Sequence, residues 1–336
     1  MSTTARRIAA AFAGLVLGLG PTSPAVASDD AAFDKQWNLT RIGAPAAWAR
    51  STGSGVLVGI VDTGVDLDHE DLVGRVAAHT SCVGSEGDPA KCSGIAQDDY
   101  GHGTHVSGTV AANRDNGLGI AGVAPDARLV VAKTFDSSGT ANPQDVLAGI
   151  RWVVDHGAKV VNLSLGDLLF VTTATFGTDL SEGVDYAWSH GAIPVVSSGN
   201  DDLFGVGIGS SEYGDLDAII VGATGPDDRV AGYSSPTGNA KWAIVAPGGS
   251  AEGDEAEDVY STDWEEGSPS HYRYRAGTSM ATPHVVGVVA LLLAQGYGQQ
   301  AAVDRVLETV DTTVSCGPNS PTCRGRLDAA RAVGAG

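Results

Sequence analysis

Strand-like and helix-like segments alternate along this chain. Short apolar runs rich in β-branched residues are typical of buried strands, and five of them lie at 56–61, 129–133, 159–165, 192–198 and 218–223. Helical patterns closed by glycine lie between some of these runs, at 142–157 and 179–191. Strands that alternate with helices form a parallel sheet that is covered on both faces. The sequence therefore predicts an α/β fold with three layers, α/β/α, and a mostly parallel central sheet.

Three motifs carry an aspartate, a histidine and a serine, in that order. They are V-D-T-G around Asp62, G-H-G-T-H-V-S-G-T around His102, and G-T-S-M-A-T-P-H around Ser279. Attack by a serine hydroxyl on an amide needs a base to take its proton and a carboxylate to orient and stabilise that base. The sequence thus offers the side chains of a serine nucleophile system, with Ser279 at the start of a predicted helix.

Each of these residues also has a structural interpretation. Asp62 could cap the turn after its strand, Ser279 could be a helix N-cap, and Asn200 could be a turn residue at a strand end. However, Asp62 and Asn200 both follow predicted strands, and ligand sites in parallel sheets form at the carboxyl ends of strands. A shared crevice therefore accounts for both positions together.

The motifs and their order resemble those of the subtilisin-like serine proteases, the subtilase family. A fourth matching stretch, S-S-G-N, ends at Asn200. The resemblance runs from about residue 36 to the end of the chain and implies the subtilisin-like three-layer fold. It also implies that Asp62 orients His102, that His102 is general base and then acid, and that Ser279 is the nucleophile. Asn200 would stabilise the oxyanion beside the Ser279 backbone N–H.

The resemblance further implies the contacts of the substrate. Ser164, Leu165 and Gly166 match the edge segment that pairs with an extended substrate backbone, and Gly199 matches a residue of the primary specificity pocket. Asp201, Asp202 and the acidic segment 250–258 suggest a preference for basic residues near the scissile bond. The alternative is that these acidic residues form solvated loops.

Calcium is the cofactor that the resemblance suggests. Asp71 and Asn116 match positions that hold Ca²⁺ in many family members, with the carbonyls of Leu118 and Ile120 completing an oxygen cage. Asp34 is the candidate for the N-terminal ligand. Since an asparagine-rich turn needs no metal to form, a loop without calcium is the alternative.

The four cysteines form two local pairs, Cys82 with Cys92 and Cys316 with Cys323. Export would permit disulfides, and we expect these two bridges. Four cysteines allow three pairings, and a zinc site is a rival interpretation. Neither spacing is of the C-x₂-C type, and no histidine is adjacent in sequence, so zinc is disfavoured.

The amino terminus has the parts of a signal peptide. Arg6 and Arg7 precede an apolar run that ends in A-V-A-S, and we expect cleavage after Ala27. Residues 1–27 are thus predicted to be a signal peptide, and 28–336 a subtilisin-like catalytic domain without an evident propeptide domain. The alternative, a retained membrane anchor, is disfavoured because the apolar run is shorter than the roughly 20 residues that a spanning helix needs.

Composition agrees with a secreted globular enzyme. The net charge of −20 and the pI near 4.5 disfavour binding to nucleic acid or to anionic membranes. We expect a secreted monomeric serine endopeptidase that acts on proteins or peptides. The alternatives are a narrow-specificity processing protease or peptide ligase with the same site, and a catalytically silent binding protein with the same fold.

Overall fold

The computed structural model describes residues 28–165, 181–200 and 214–335. Its centre is a seven-stranded parallel sheet, in the order β2-β3-β1-β4-β5-β6-β7. The strands are β1 Leu57–Asp62, β2 Val76–Ser81, β3 Arg128–Lys133, β4 Val160–Leu163, β5 Ile193–Ser197, β6 Ile219–Thr224 and β7 Trp242–Pro247. A separate antiparallel hairpin consists of β8 Val259–Thr262 and β9 Tyr272–Arg275. The predicted parallel sheet is confirmed, and each of the five predicted runs contains one of its strands.

The α-helices of the described ranges are α1 Trp37–Arg41, α2 Ala44–Trp48, α3 His102–Ala111, α4 Pro143–Asp155, α5 Ser181–Ser189, α6 Thr278–Ala294, α7 Gln299–Glu308 and α8 Ala329–Ala332. Short 3₁₀ helices lie at Phe33–Lys35, Glu70–Leu72, Pro89–Lys91 and Glu255–Glu257. The helices predicted at 142–157 and 179–191 correspond to α4 and α5. Helix α4 begins where the prediction places it because the Asn142 side chain accepts a hydrogen bond from the Gln144 N–H.

Helices cover both faces of the sheet, because apolar side chains that alternate along each strand point to both faces and must be buried on each. In β1, Ile60 packs into the core that contains α3 and α6, whereas Val61 packs into the core that contains α4 and α5. This confirms the predicted three-layer α/β/α fold. Helix α6 is buried along most of its length, and Pro283 is its sixth residue. The Ser279 carbonyl, which a backbone N–H at position 283 would otherwise meet, accepts a hydrogen bond from the Ser164 hydroxyl instead.

None of the helices in the described ranges is both long and apolar enough to cross a membrane. The predicted signal peptide, residues 1–27, lies outside those ranges.

Candidate active site

Three elements bring the sequence motifs to one side of the molecule. Asp62 is the last residue of β1, His102 is the first residue of α3, and Ser279 is in the first turn of α6. Helices α3 and α6 pack against each other and against the same face of the sheet. The chain thereby places a strand end and two helix starts together, although the residues are far apart in sequence.

Asp62 and His102 are directly hydrogen-bonded. The distance between His102 Nδ1 and Asp62 Oδ1 is 2.8 Å, and the same oxygen accepts a hydrogen bond from the Thr63 N–H at 2.7 Å. Asp62 is only 1% exposed, and its second oxygen, Oδ2, is buried without a hydrogen-bond partner. The carboxylate is therefore held in one orientation, with Oδ1 facing the imidazole.

The electrostatics of His102 are set by opposing effects. Burial favours the neutral imidazole and lowers its pKa, but the charge and the hydrogen bond of Asp62 outweigh burial, so that the pKa of His102 is raised from its ordinary value. Arg275 also lowers this pKa, and Asp98 raises it. The pKa of His102 is thus set by burial and by the charges of these three neighbours.

Ser279 is tied to the end of β4. Its hydroxyl donates to the Ser164 carbonyl at 3.3 Å, and the Ser164 hydroxyl donates to the Ser279 carbonyl at 2.8 Å. A hydrogen bond from Ser279 to His102 therefore requires the serine side chain to reorient. Such contacts commonly tighten only when a substrate is bound.

Asn200 is oriented by Thr278, a residue that the sequence analysis missed. The Thr278 N–H and hydroxyl donate to Asn200 Oδ1 at 3.0 and 3.1 Å. This fixes the amide so that its Nδ2 lies near Gly277, 3.7 Å from the position that a Cβ there would take. The donor end of Asn200 is thus held close to the start of α6. The sequence signal for Thr278 was its place in the G-T-S motif, directly before Ser279.

The predicted substrate-contact residues lie at the ends of neighbouring strands. Ser164 and Leu165 follow β4 and are 5% and 7% exposed, and Gly199 follows β5. Gly199 has φ +102°, and its N–H donates to the Thr278 hydroxyl at 3.2 Å. Gly166, like Asp201 and Asp202, lies outside the described residues. The described members of the set therefore adjoin the segment that carries Ser279.

The acidic segment 250–258 is folded back on itself. The Ser250 hydroxyl donates to Glu257 at 2.7 Å, and the Ala251 N–H donates to Asp258 at 3.0 Å. The Asp258 carbonyl accepts a hydrogen bond from Trp37 Nε1 at 2.9 Å. These contacts join the segment to α1, while Glu252, Asp254 and Glu255 remain exposed, as the solvated-loop alternative requires.

The predicted calcium loop surrounds Asp71. Asp71 is fully buried and accepts hydrogen bonds from Asn116 Nδ2 at 2.8 Å, the Ile120 N–H at 2.7 Å and the Tyr272 hydroxyl at 3.0 Å. Burial raises the pKa of Asp71, and the nearby charge of Asp30 raises it further.

Asp30, rather than the suggested Asp34, reaches this loop, where its carboxylate accepts the Asn116 N–H at 3.0 Å. The side chain of Leu118 is exposed, and its N–H is bonded to Asn116 Oδ1 at 2.8 Å. Among the described residues, no cluster of three or more His, Cys, Asp or Glu side chains is arranged to hold a metal ion. The donor types nevertheless suit a hard cation, because the carboxylates of Asp30 and Asp71 both contact the loop 115–120, which also carries the Asn116 amide, and such cations prefer oxygen ligands.

Both expected disulfides are present. Cys82 is bonded to Cys92 and Cys316 is bonded to Cys323, and the described part of the chain has no free cysteine. This pairing excludes the other two connectivities, and it is incompatible with the alternative that the four thiols bind zinc.

Comparison with known proteins agrees with this geometry. The model of the subtilase family, Peptidase_S8, matches residues 53–336. Thermitase of Thermoactinomyces vulgaris is 34% identical over 304 residues, which cover 89% of this chain and 96% of thermitase. Subtilisin Savinase of Lederbergia lenta is 38% identical over 259 residues, covering 76% of this chain and 83% of Savinase.

Other relatives extend beyond the matched region. The chain spans 59% of the thermophilic serine proteinase of Bacillus sp. (strain AK1), at 36% identity. Among solved structures, a protease from Pseudoalteromonas arctica PAMC 21717 superimposes with a TM-score of 0.73 at 28% identity, over 92% of this chain and 99% of that protease. Fold, motifs and relatives agree, and we conclude that this chain is a serine-type endopeptidase that belongs to the subtilase family.

Proposed function

We propose that the chain is a secreted endopeptidase that cleaves peptide bonds with Asp62, His102 and Ser279, assisted by Asn200. The observation that carries this proposal is the 2.8 Å hydrogen bond between His102 and the buried Asp62, at the side of the sheet where Ser279 opens α6. A buried carboxylate that holds one imidazole nitrogen leaves the other nitrogen available to accept a proton from a serine.

In the proposed acylation step, Ser279 Oγ attacks the carbonyl carbon of the scissile bond while its proton passes to His102 Nε2. The C–O bond forms, and the carbonyl π electrons move to the oxygen, giving a tetrahedral oxyanion. Collapse of this intermediate breaks the C–N bond, and the amine leaves with the proton from His102. Asp62 stabilises the imidazolium throughout. Water then repeats the sequence on the acyl-enzyme and releases the acid.

The oxyanion would be stabilised by Asn200 Nδ2 and by the Ser279 N–H. Thr278 holds the Asn200 carbonyl oxygen with two hydrogen bonds, so the amide does not have to reorganise when charge develops. The N-terminus of α6, which carries a partial positive charge, lies beside the same position.

The proposed substrate is a protein or peptide bound in an extended form. The segment with Ser164, Leu165 and Gly166 would pair with its backbone, and Gly199 would border the pocket for the residue before the cleaved bond. Backbone pairing favours broad cleavage. A processing protease or a peptide ligase would use the same acyl-enzyme, and it is distinguished by cutting one peptide while leaving casein intact.

We further propose export of the chain, with residues 1–27 as the signal peptide and 28–336 as a monomeric catalytic domain. The two disulfides support an extracellular location. We also propose structural Ca²⁺ held by Asp71, Asn116 and the carbonyls of Leu118 and Ile120, with Asp30 as the fifth ligand residue. The ion would neutralise the two carboxylates of this loop.

The test is labelling with a small fluorophosphonate, read as intact mass on the exported protein. We expect one phosphonyl group on the parent and none on Ser279→Ala. Ser189→Ala is the matched control, since it removes an exposed hydroxyl on α5 and should be labelled like the parent. A folded parent that takes no label would refute the proposed mechanism and favour the silent binding protein.

A further inference from the structure

A buried ion pair lies beside the helix that begins at His102. Asp263 directly follows β8, and Arg275 is the last residue of β9. The guanidinium binds the carboxylate through two hydrogen bonds, Nε to Oδ2 at 2.6 Å and Nη2 to Oδ1 at 3.1 Å. Asp263 is fully buried, whereas the Arg275 side chain is 21% exposed. The pair is therefore a bidentate contact that is largely removed from solvent.

This ion pair touches the turn that precedes His102. Gly101 has φ +98°, and a Cβ built on it would lie 2.1 Å from Asp263 Oδ1 and 2.9 Å from Arg275 Nη2. The same Nη2 lies 3.5 Å from the Tyr100 carbonyl oxygen, to which it donates. The backbone of Gly101 thus packs directly on the pair, at a distance that a side chain would prevent.

The turn is also held from its other side. Asp98 is fully buried and accepts hydrogen bonds from the Tyr100 N–H at 3.1 Å and the Gly101 N–H at 3.0 Å. Tyr100 therefore donates through its N–H to a carboxylate and accepts through its carbonyl from Arg275. Two opposite charges fix the two ends of one residue immediately before the helix starts.

Strand β8 of the hairpin is also hydrogen-bonded to the first turn of α3. The Thr262 hydroxyl donates to the Thr104 carbonyl at 2.8 Å, and the Ser261 hydroxyl donates to the His105 carbonyl at 2.8 Å. The helix start therefore cannot shift relative to β8 without breaking several buried hydrogen bonds.

We propose that the Asp263–Arg275 ion pair positions His102 for proton transfer, by fixing the Tyr100–Gly101 turn and by placing a positive charge near the imidazole. The inference rests on the proposed function of His102 as the base. It assigns a positioning role to the pair, which acts through the histidine and not on the substrate.

The charges around His102 give the pair a measurable signature. Asp62 on β1 and Asp98 before the helix raise the pKa of His102, whereas Arg275 lowers it. His105, on the same helix, is itself kept neutral because burial lowers its pKa well below the ordinary value. Asp99, in the same loop, is paired with Lys133 at 2.6 Å. Since the base must be neutral to accept a proton, loss of the Arg275 charge should move the onset of activity to higher pH.

The experiment measures the second-order rate constant for fluorophosphonate labelling from acid to alkaline pH. A small probe avoids contacts between Arg275 and a peptide. The variants are Arg275→Gln, Arg275→Lys and the double variant Asp263→Asn with Arg275→Gln, which leaves no unpaired buried charge if the single variant does not fold. Arg151→Gln is the matched control, because it breaks the ion pair with Glu182 between α4 and α5.

We expect the midpoint of the acid limb to move to higher pH in Arg275→Gln, because the guanidinium no longer offsets the buried carboxylates. The double variant loses one charge of each sign, so its midpoint should move less, but its plateau should fall because the Tyr100–Gly101 turn loses its support. Arg275→Lys should keep the parent midpoint, because the positive charge remains. Its plateau should fall, because an ammonium group cannot make the bidentate contact of the guanidinium with Asp263. A misplaced base can lower the plateau by up to about 10²-fold. The Arg151→Gln control should match the parent in both quantities.

A double variant that folds and keeps both the parent midpoint and the parent plateau would overturn the proposal, because the pair would then be purely structural. Failure of the proposed function looks different. In that case the parent itself takes no label, whatever residue is present at 275.

Discussion

Replacement of Asp62 by asparagine tests the proposed machinery most directly. In the structure, Asp62 Oδ1 accepts two hydrogen bonds, from His102 Nδ1 and from the Thr63 N–H, and Oδ2 is buried without a partner. If the asparagine oxygen takes the place of Oδ1, both hydrogen bonds survive but the NH₂ group is buried without an acceptor. If the NH₂ group takes that place, it faces the Thr63 donor and forces the other imidazole tautomer. The first arrangement keeps more hydrogen bonds, so the main loss in Asp62→Asn is that of the negative charge.

The size of the effect follows from where that charge acts. Asp62 is 1% exposed, so little water is available to stabilise the imidazolium in its place. Loss of the triad aspartate lowers kcat by about 10⁴-fold in serine proteases, whether asparagine replaces it or the carboxylate side chain is removed. At about 1.4 kcal/mol for each factor of ten, this corresponds to roughly 5.5 kcal/mol of transition-state stabilisation.

The pH dependence of the variant has a defined sign. Asp62 is what raises the pKa of His102 against burial, so in Asp62→Asn the pKa should fall and the acid limb of kcat/KM should move to lower pH. The assay is hydrolysis of a fluorogenic peptide from acid to alkaline pH, with thermal unfolding as the check on folding. Asp227→Asn, which loses the exposed pair with Arg229, is the control. A folded Asp62→Asn that loses less than about tenfold in kcat, or whose acid limb moves upward, would refute the assigned role.

Three further predictions concern the oxyanion donor, the metal and a disulfide. Asn200→Ala should lower kcat by about 10² to 10³-fold with little change in KM, because the donor acts mainly in the transition state; steady-state kinetics on a short peptide check this, and a change confined to KM would contradict it. Excess chelator should lower the thermal midpoint of the parent and should have less effect on Asp71→Asn, measured by calorimetry; an unchanged parent midpoint would argue against calcium. The double variant Cys82→Ala with Cys92→Ala should lose about 3 kcal/mol of unfolding free energy, since this bridge closes a loop with a sequence separation of 10 residues; denaturant unfolding measures this, and equal stability would show that the bridge does not constrain the unfolded chain.

The central strands of the sheet could be predicted because they are buried on both faces. Strands β1, β3, β4, β5 and β6 are nearly continuous apolar runs for that reason. The two edge strands, β2 and β7, are not among the predicted runs. In β2, V-A-A-H-T-S mixes polar with small residues because most of the strand is only half buried, which weakens the apolar signal. β7 is buried throughout, and its apolar run at 242–247 carried a signal that the prediction did not use.

The site could be predicted only as far as local motifs reach. Asp62, His102 and Ser279 each lie in a motif, and the structure brings the first two into contact. The residues that orient them do not show such a pattern. Asp30 reaches the predicted calcium loop by a backbone path that the sequence does not reveal, and Arg275 meets the turn before His102 across 175 residues of sequence. The Arg275 contact depends on how the hairpin docks on α3, and the Asp30 contact on where the amino-terminal segment lies, neither of which local periodicity encodes.

The charge balance around His102 explains why such a distant residue matters. The chain carries a net charge of −20, and three buried carboxylates, Asp62, Asp98 and Asp263, lie on the elements packed around the histidine. Carboxylates stabilise the imidazolium, so without a counter-charge they would keep the base protonated until the pH is high. Arg275 neutralises Asp263 and opposes the effect of Asp62 and Asp98 on the histidine. The base must be stabilised when it is charged, and it must be neutral at the start of each cycle. It therefore needs carboxylates that raise its pKa and a positive charge that lowers it, and the hairpin supplies that positive charge through Arg275.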